Sequence, residues 1–148
     1  MHVNQRIRQA AADRIAATGA FTVVSTNRSA NLSAGHLPAA VIGTSTDEVA
    51  IDTKDDPPDE RRTITMTVTI VEDASDAETI DDRMDDLRVT VEEALAGDLD
   101  GLAWWMEHTG GDLQLGSDED GDQWLAFYVL SWTVQVRTQQ GKPQEIST

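Results

Sequence analysis

Residues Arg61 to Asp73, RRTITMTVTIVED, constrain this chain more than any other stretch, because their side chains alternate strictly. Ile64, Met66, Val68 and Ile70 fall on one face and Thr63, Thr65, Thr67 and Thr69 on the other, the period of two that a half-buried β-strand imposes. Wound as a helix, the same residues would scatter their apolar side chains around the axis. The chain therefore contains a sheet with one apolar face, and the rest of the sequence must supply what covers it.

Two segments have the period of a helix. Val3, Ile7, Ala11 and Ile15 recur every four residues among Arg6, Arg8, Asp13 and Arg14, which predicts a helix from about residue 3 to 17 that Gly19 stops. In AETIDDRMDDLRVTVEEAL (77–95), Ile80, Met84, Leu87, Val91 and Leu95 form one stripe with Ala94 beside it. Strands are expected at FTVVST (21–26) and LPAAVIG (37–43), with Pro38 at the start of the second or on an edge because it cannot donate to a ladder. A closing hairpin follows, in which Leu113 and Leu115 lead into a turn at SDEDGD. Its return strand is long: Trp124, Ala126, Tyr128, Leu130, Trp132, Val134 and Val136 share one face, while Leu125, Phe127 and Val129 make the first half apolar on both.

These elements describe an α+β domain, an antiparallel sheet of about four or five strands with two helices packed on it. A chain of 148 residues fits one domain and buries roughly 68–70% of its unfolded surface. The domain is expected to span residues 1–137, with the polar TQQGKPQEIST segment making residues 138–148 a flexible arm. DTKDDPPDE (Asp52 to Glu60) reads as a flexible loop, since Pro57 and Pro58 break both helix and strand. AGDLDGLAWWMEHTGG reads equally as a helical turn or a loop.

Charge narrows the function. Eleven Lys and Arg against 27 Asp and Glu give a formal charge of -16, which repels a phosphate backbone and disfavours nucleic-acid wrapping. Asp outnumbers Glu, the only lysines are Lys54 and Lys142, and Thr, Ala and Val are abundant. This is the texture of halophilic proteins, whose surface charge is tolerable because the Debye length falls to about 3 Å in molar salt. An acidic mesophilic protein is the alternative. The absence of Cys removes disulfides, thiolate catalysis and Cys-type zinc sites. No secretory signal is expected at MHVNQRIRQAAADRIAATGA, and no run approaches the roughly 20 apolar residues of a membrane span. The sequons at Asn27 and Asn31 read as chance matches.

The acidic helix raises the possibility of a metal. Glu78, Asp81, Asp82, Asp85, Asp86, Glu92 and Glu93 occupy the arc opposite the apolar stripe, with Arg83 and Arg88 on its flanks. Asp81 with Asp85, and Asp82 with Asp86, are one turn apart, but helical carboxylates alone supply too few oxygens for a closed site. A solvated face, loosely screened by cations, is the better reading. SDEDGDQW departs from a calcium loop in the position of Gly121 and in lacking the closing Glu. His2, His36 and His108 are scattered, no nucleophile or phosphate-loop motif occurs, and Asp98 and Asp100 have nothing apolar beside them to raise a pKa. No catalytic residue, metal or cofactor is expected. Trp124 and Trp132 read as core residues, whereas Trp104 and Trp105 cannot both be buried by one regular element, so one is a candidate interface anchor.

QRIRQAAADRI, LPAAVIGTSTDEV, RRTITMTVTIVED, IDDRMDDLRVTVEEAL and AFYVLSWTVQVRT, in this order, resemble tail terminator proteins of long-tailed viruses, the family of the lambda minor tail protein U. The likeness covers most of the chain, and the composition would suit a virus of a halophilic archaeon. It implies a subunit that assembles into a six-membered ring on the tail tube, halts tube polymerisation and presents its other face to neck proteins under the head. The implied partners are further copies of itself, the tail tube protein and the head-tail connector. DNA would pass through the lumen without specific binding, and the location would be the virion after assembly in host cytoplasm. Candidate interface residues are Trp104 and Trp105, Asp55 and Asp56 in the acidic loop, Arg61 and Arg62 at the strand start, and Asp82 and Asp86 on the helix. Another neck or tail-completion ring protein is the near alternative, and a small enzyme or ligand-binding domain with a pocket at Trp104 and Trp105 the distant one.

Overall fold

In the computed structural model, residues 1–27, 32, 34–117 and 124–146 are described. The first helix, α1 (Val3–Ala17), starts where His2 accepts the Asn4 amide at 3.1 Å and the Gln5 side chain accepts the His2 amide at 2.9 Å, a reciprocal cap on the free donors of the first turn. It ends at Thr18, and Gly19 follows at φ 71. The four-residue spacing buries Val3, Ile7, Ala11 and Ile15 completely, with Ala12 beside them.

Six strands follow: β1 (Val23–Ser25), β2 (Ala39–Ile51), β3 (Asp59–Asp73), β4 (Trp105–Ser117), β5 (Trp124–Gln139) and β6 (Lys142–Ile146), with the second helix α2 (Ile80–Ala94) between β3 and β4. They form one sheet in the order β1-β2-β3-β5-β4, and β6 pairs with the end of β5. The β1–β2 pair is parallel and the others are antiparallel. The sheet is thus α+β as expected but larger than four or five strands, because the short β1 and the late β6 both join it.

The alternation in β3 sets the two faces. Ile64, Met66, Val68 and Ile70 are fully buried, and their partners Val134, Trp132, Leu130 and Tyr128 on β5 extend the same apolar face. Burying a side chain of this size is worth about 1.5–3 kcal/mol. Both helices pack on this face, α2 through Ile80, Met84, Val91 and Leu95. The opposite face carries the threonines of β3, and neither α1 nor α2 contributes to the apolar cluster on it. A small second cluster at one end, Ala39, Val71 and Leu125, packs against Val23, Leu32, Leu37 and Phe127.

Several expectations need correction. The strand expected at 37–43 runs on to Ile51, because pairing with β3 continues past the helix cover; Ala39 opens it directly after Pro38. The acidic loop is accordingly shorter: Asp59 and Glu60 belong to β3, and the Asp52 amide donates to the Asp59 carbonyl at 2.8 Å. Lys142–Ile146, expected within a flexible arm, is strand β6, tied to the body where Arg6 donates to the Gln144 carbonyl at 3.0 Å. Trp132 is core, but Trp124 is not. It opens β5 opposite Ser117 at the end of the sheet and is 63% exposed. The SDEDGD turn beyond Ser117, its calcium-loop comparison, the sequon at Asn31 and residues 147–148 lie outside the described residues.

Candidate assembly interface

Nine large apolar side chains are exposed among the described residues. Five of them, Trp104 (54%), Trp105 (44%), Leu113 (40%), Leu115 (63%) and Trp124 (63%), lie on β4 or at its ends. Two more, Val49 (48%) and Ile51 (68%), lie on the second half of β2. Strand β4 has β5 on one side and, among the described residues, no strand on the other. On the far side of the sheet β1 pairs with Ala39–Val41 of β2, and beyond Val41 no other strand among the described residues pairs with that side of β2, which is an edge as well. The exposed apolar side chains therefore concentrate on the two open edges of one sheet.

Local sequence explains why these edges stay uncovered. Leu113 and Leu115 alternate with Asp112, Gln114 and Gly116 and share a face with Tyr128 and Ala126, but α2 packs over β3 and stops short of them. Gly111 lets the Tyr128 ring lie against the β4 backbone, and Arg88 of α2 caps that ring at 4.2 Å. His108 is the tie between helix and edge strand: Nε2 lies 2.8 Å from Glu92, Nδ1 lies 2.9 Å from the Ser131 carbonyl, and the ring rests 4.6 Å from Trp132. Each edge strand is also bulged at nearly the same height, at Thr46 (φ 52) on β2 and between His108 and Gly110 (φ 126) on β4. A bulge bends and twists its strand, so the sheet curves at that level.

The residues expected at an interface separate into groups. Trp104 and Trp105 are both exposed; the Trp104 amide donates to the Gln135 carbonyl at 2.8 Å and Trp105 opens β4. Arg137 stacks 4.5 Å over Trp104 and contacts Asp52, which also faces Arg61. Asp55 and Asp56 are exposed in the β2–β3 loop at this same end of the sheet. Arg62 points the other way, with its side chain 13% exposed, 2.8 Å from Asp47, 3.6 Å from Glu60 and donating to Thr138 Oγ1 at 3.1 Å. Its charge is used inside the subunit. Asp82 and Asp86 are exposed on α2. Val49, Ile51 and Trp124 escaped the sequence reading. A signal existed in DEVAI, where apolar residues alternate with small or charged ones beyond the expected strand end.

Among the described residues no three His, Asp or Glu side chains are grouped so as to hold a metal ion, and no helix is long and apolar enough to cross a membrane. No protein-family model and no curated protein sequence matches this chain. Among solved structures, the chain is similar to one from the virion of a native gene transfer agent particle, with 12% identity and a TM-score of 0.41 over 88% of this chain and 94% of that chain.

Proposed function

We propose that this chain is a structural subunit of a virus tail, a tail terminator whose copies close into a ring on the tail tube. The observation that carries the reading is the long edge strand β4, which has no second strand beside it among the described residues, with four exposed apolar side chains on it or at its start and Trp124 of β5 beside its end. A monomer gains nothing from such an edge, which is an aggregation hazard when left open. A subunit that is buried between copies of itself turns the hazard into an interface. The resemblance of the element order to tail terminators supplies the particular role: to stop the tube and join it to the neck. The net charge of -16 suits a lumen through which DNA slides, because carboxylates repel phosphate. Asp55, Asp56 and the α2 carboxylates Asp82 and Asp86 then serve as the hydrated coat of the ring faces or lumen, while Trp104 and Trp105 anchor contacts.

Light scattering of the purified protein in low and molar salt, followed by electron microscopy with tail tubes, tests this. The expected result is a closed ring seated at one end of each tube, with tubes overrunning their length when the protein is left out. A ring that binds beside the head but not the tube would make it a different neck component. A monomer at every salt and protein concentration would overturn the reading.

A further inference from the structure

We infer that neighbouring copies join by pairing the first half of β4 in one protomer with the second half of β2 in the next, extending the sheet across each junction. The inference rests on the ring reading above and names the surface and the occupant that it requires.

Strand direction permits the junction. β2 is antiparallel to β3, β3 to β5 and β5 to β4, so β2 and β4 run in opposite directions at the two sides of one sheet. A rotation about an axis along the strands carries β2 of one copy beside β4 of the last, and the new pair is antiparallel like its neighbours. Such a contact joins two different patches, so it repeats around a ring until it closes.

Height permits it too. Register places Glu48, Thr63, Gln135 and Trp105 in one row across the sheet, and Val49, Arg62 and Val136 in the next. If copies sit level, Glu48 of one protomer lies opposite Trp105 of its neighbour, and Val49 comes beside Trp104 and Met106. Val49 of the β2 edge thus stands at the height of the exposed tryptophans on the β4 edge, with Val49 on the helix face and Trp105, opposite Glu48, on the threonine face. The side-chain parity is right as well: Glu48 and Trp105 share the threonine face, as directly opposed residues of an antiparallel pair must. Charge sets a condition on the approach: Asp47, Glu48 and Glu107 are all acidic and this register puts Glu107 diagonally across from Glu48, so pairing is opposed at low salt and eased by screening in molar salt.

The absence of Cys from the chain makes a clean test. Within one protomer Glu48 and Trp105 are three strand spacings apart, about 14 Å, too far for a disulfide, which needs Cα atoms within about 7 Å. Carrying Glu48→Cys and Trp105→Cys together, the protein should give on mild oxidation a ladder of linked multimers that ends at the ring number. Either single variant should give none, and Glu48→Cys with Gln114→Cys, at the other end of β4, should give none. In the wild-type protein, amides of residues 45–49 and 105–109 should exchange at least tenfold more slowly in assembled than in dissociated protein. Rings by light scattering without either signal, or with equal ladders from both pairs, would overturn this junction and leave the ring reading standing. If the double variant does not fold, the exchange result decides alone. Failure to assemble under any condition would overturn both.

Discussion

Arg61 and Arg137 stand directly opposite each other on β3 and β5, two like charges on the same face of the sheet. Such a pair destabilises a strand ladder unless something lies between. Asp52 does: Oδ2 is 2.7 Å from Arg137 Nε and Oδ1 is 3.6 Å from Arg61 Nη1, with the Asp52 side chain only 15% exposed. The shorter contact falls outside hydrogen-bond geometry, so what Asp52 supplies is charge. Replacing it by Asn keeps the shape and leaves two guanidinium groups face to face. Asp52→Asn should lose about 1–2 kcal/mol at low salt, discounted because both arginines are partly exposed. The loss should shrink in molar NaCl, where screening acts within about 3 Å. Urea unfolding at two salt concentrations reads this directly. An equal loss in both would show that Asp52 acts through shape alone.

Gly111 is fixed by its neighbour across the strand pair. A Cβ there would sit 2.3 Å from Tyr128 Cε1 and 3.1 Å from Leu130 Cδ2, and the Tyr128 ring is held from the far side by Arg88 at 4.2 Å. Gly111→Ala should therefore cost about 1–3 kcal/mol as the ring is pushed off its seat. At Gly116, an added Cβ meets only Phe127 Cε2 at 3.5 Å, an ordinary contact. Gly116→Ala should stay within about 0.5 kcal/mol of wild type. Adding Tyr128→Leu should reduce the Gly111→Ala loss by about 1 kcal/mol in a double-mutant cycle. Strict additivity would place the strain elsewhere.

How far the sequence foretold this structure depends on what enforces each element. Where a helix lies over a strand, side-chain period and burial coincide. Hence the β3 alternation, the α1 spacing and the α2 stripe were all legible from apolar positions alone. Past the helix cover nothing enforces alternation. The second half of β2, TSTDEVAI, and the strand KPQEI are held mainly by backbone pairing, which leaves at most the short alternation of DEVAI as a mark on side-chain pattern. Trp124 shows the converse. It keeps the period of β5, yet at the strand's first position no element among the described residues reaches over it, so periodicity named the face but not the burial. Of the apolar residues exposed along the sheet edges, only Trp104 and Trp105 were singled out by the sequence, because an edge strand is defined by what is missing beside it.

His108 holds an edge strand to a helix, so its loss should be felt locally. His108→Ala removes the 2.8 Å contact to Glu92, the 2.9 Å contact to the Ser131 carbonyl and the stacking on Trp132. Together these are worth about 1–2 kcal/mol after discounting the partly exposed contact to the carboxylate. Glu92→Gln, which keeps a polar partner, should cost about 0.5 kcal/mol or less. The distinguishing measurement is hydrogen exchange by residue. Amides of β4 should open faster in His108→Ala while those of β3 keep the protection of the global fold. Uniform acceleration across the sheet would mean that β4 does not open on its own.

The carboxylates of α2 are the last piece with a measurable consequence. Within Ile80–Ala94, Asp81, Asp82, Asp85, Asp86, Glu92 and Glu93 outnumber Arg83 and Arg88 by four. Asp82 and Asp86 repel each other one helical turn apart, as do Asp81 and Asp85, and all four are exposed. Asp81 and Asp82 also sit in the first turn, where the helix dipole favours them, so the repulsion is felt most at the later member of each pair. Asp86→Asn should raise stability at low ionic strength by about 0.2–0.5 kcal/mol, whereas Asp82→Asn should give less because it also forfeits the dipole interaction. Thermal unfolding from low to molar NaCl should raise the wild-type Tm and erase the difference between wild type and Asp86→Asn. A magnesium titration at constant ionic strength should add no saturable step, since a coat of hydrated carboxylates is screened by any cation. A sharp, stoichiometric rise in Tm with magnesium would instead mean that these aspartates grip an ion.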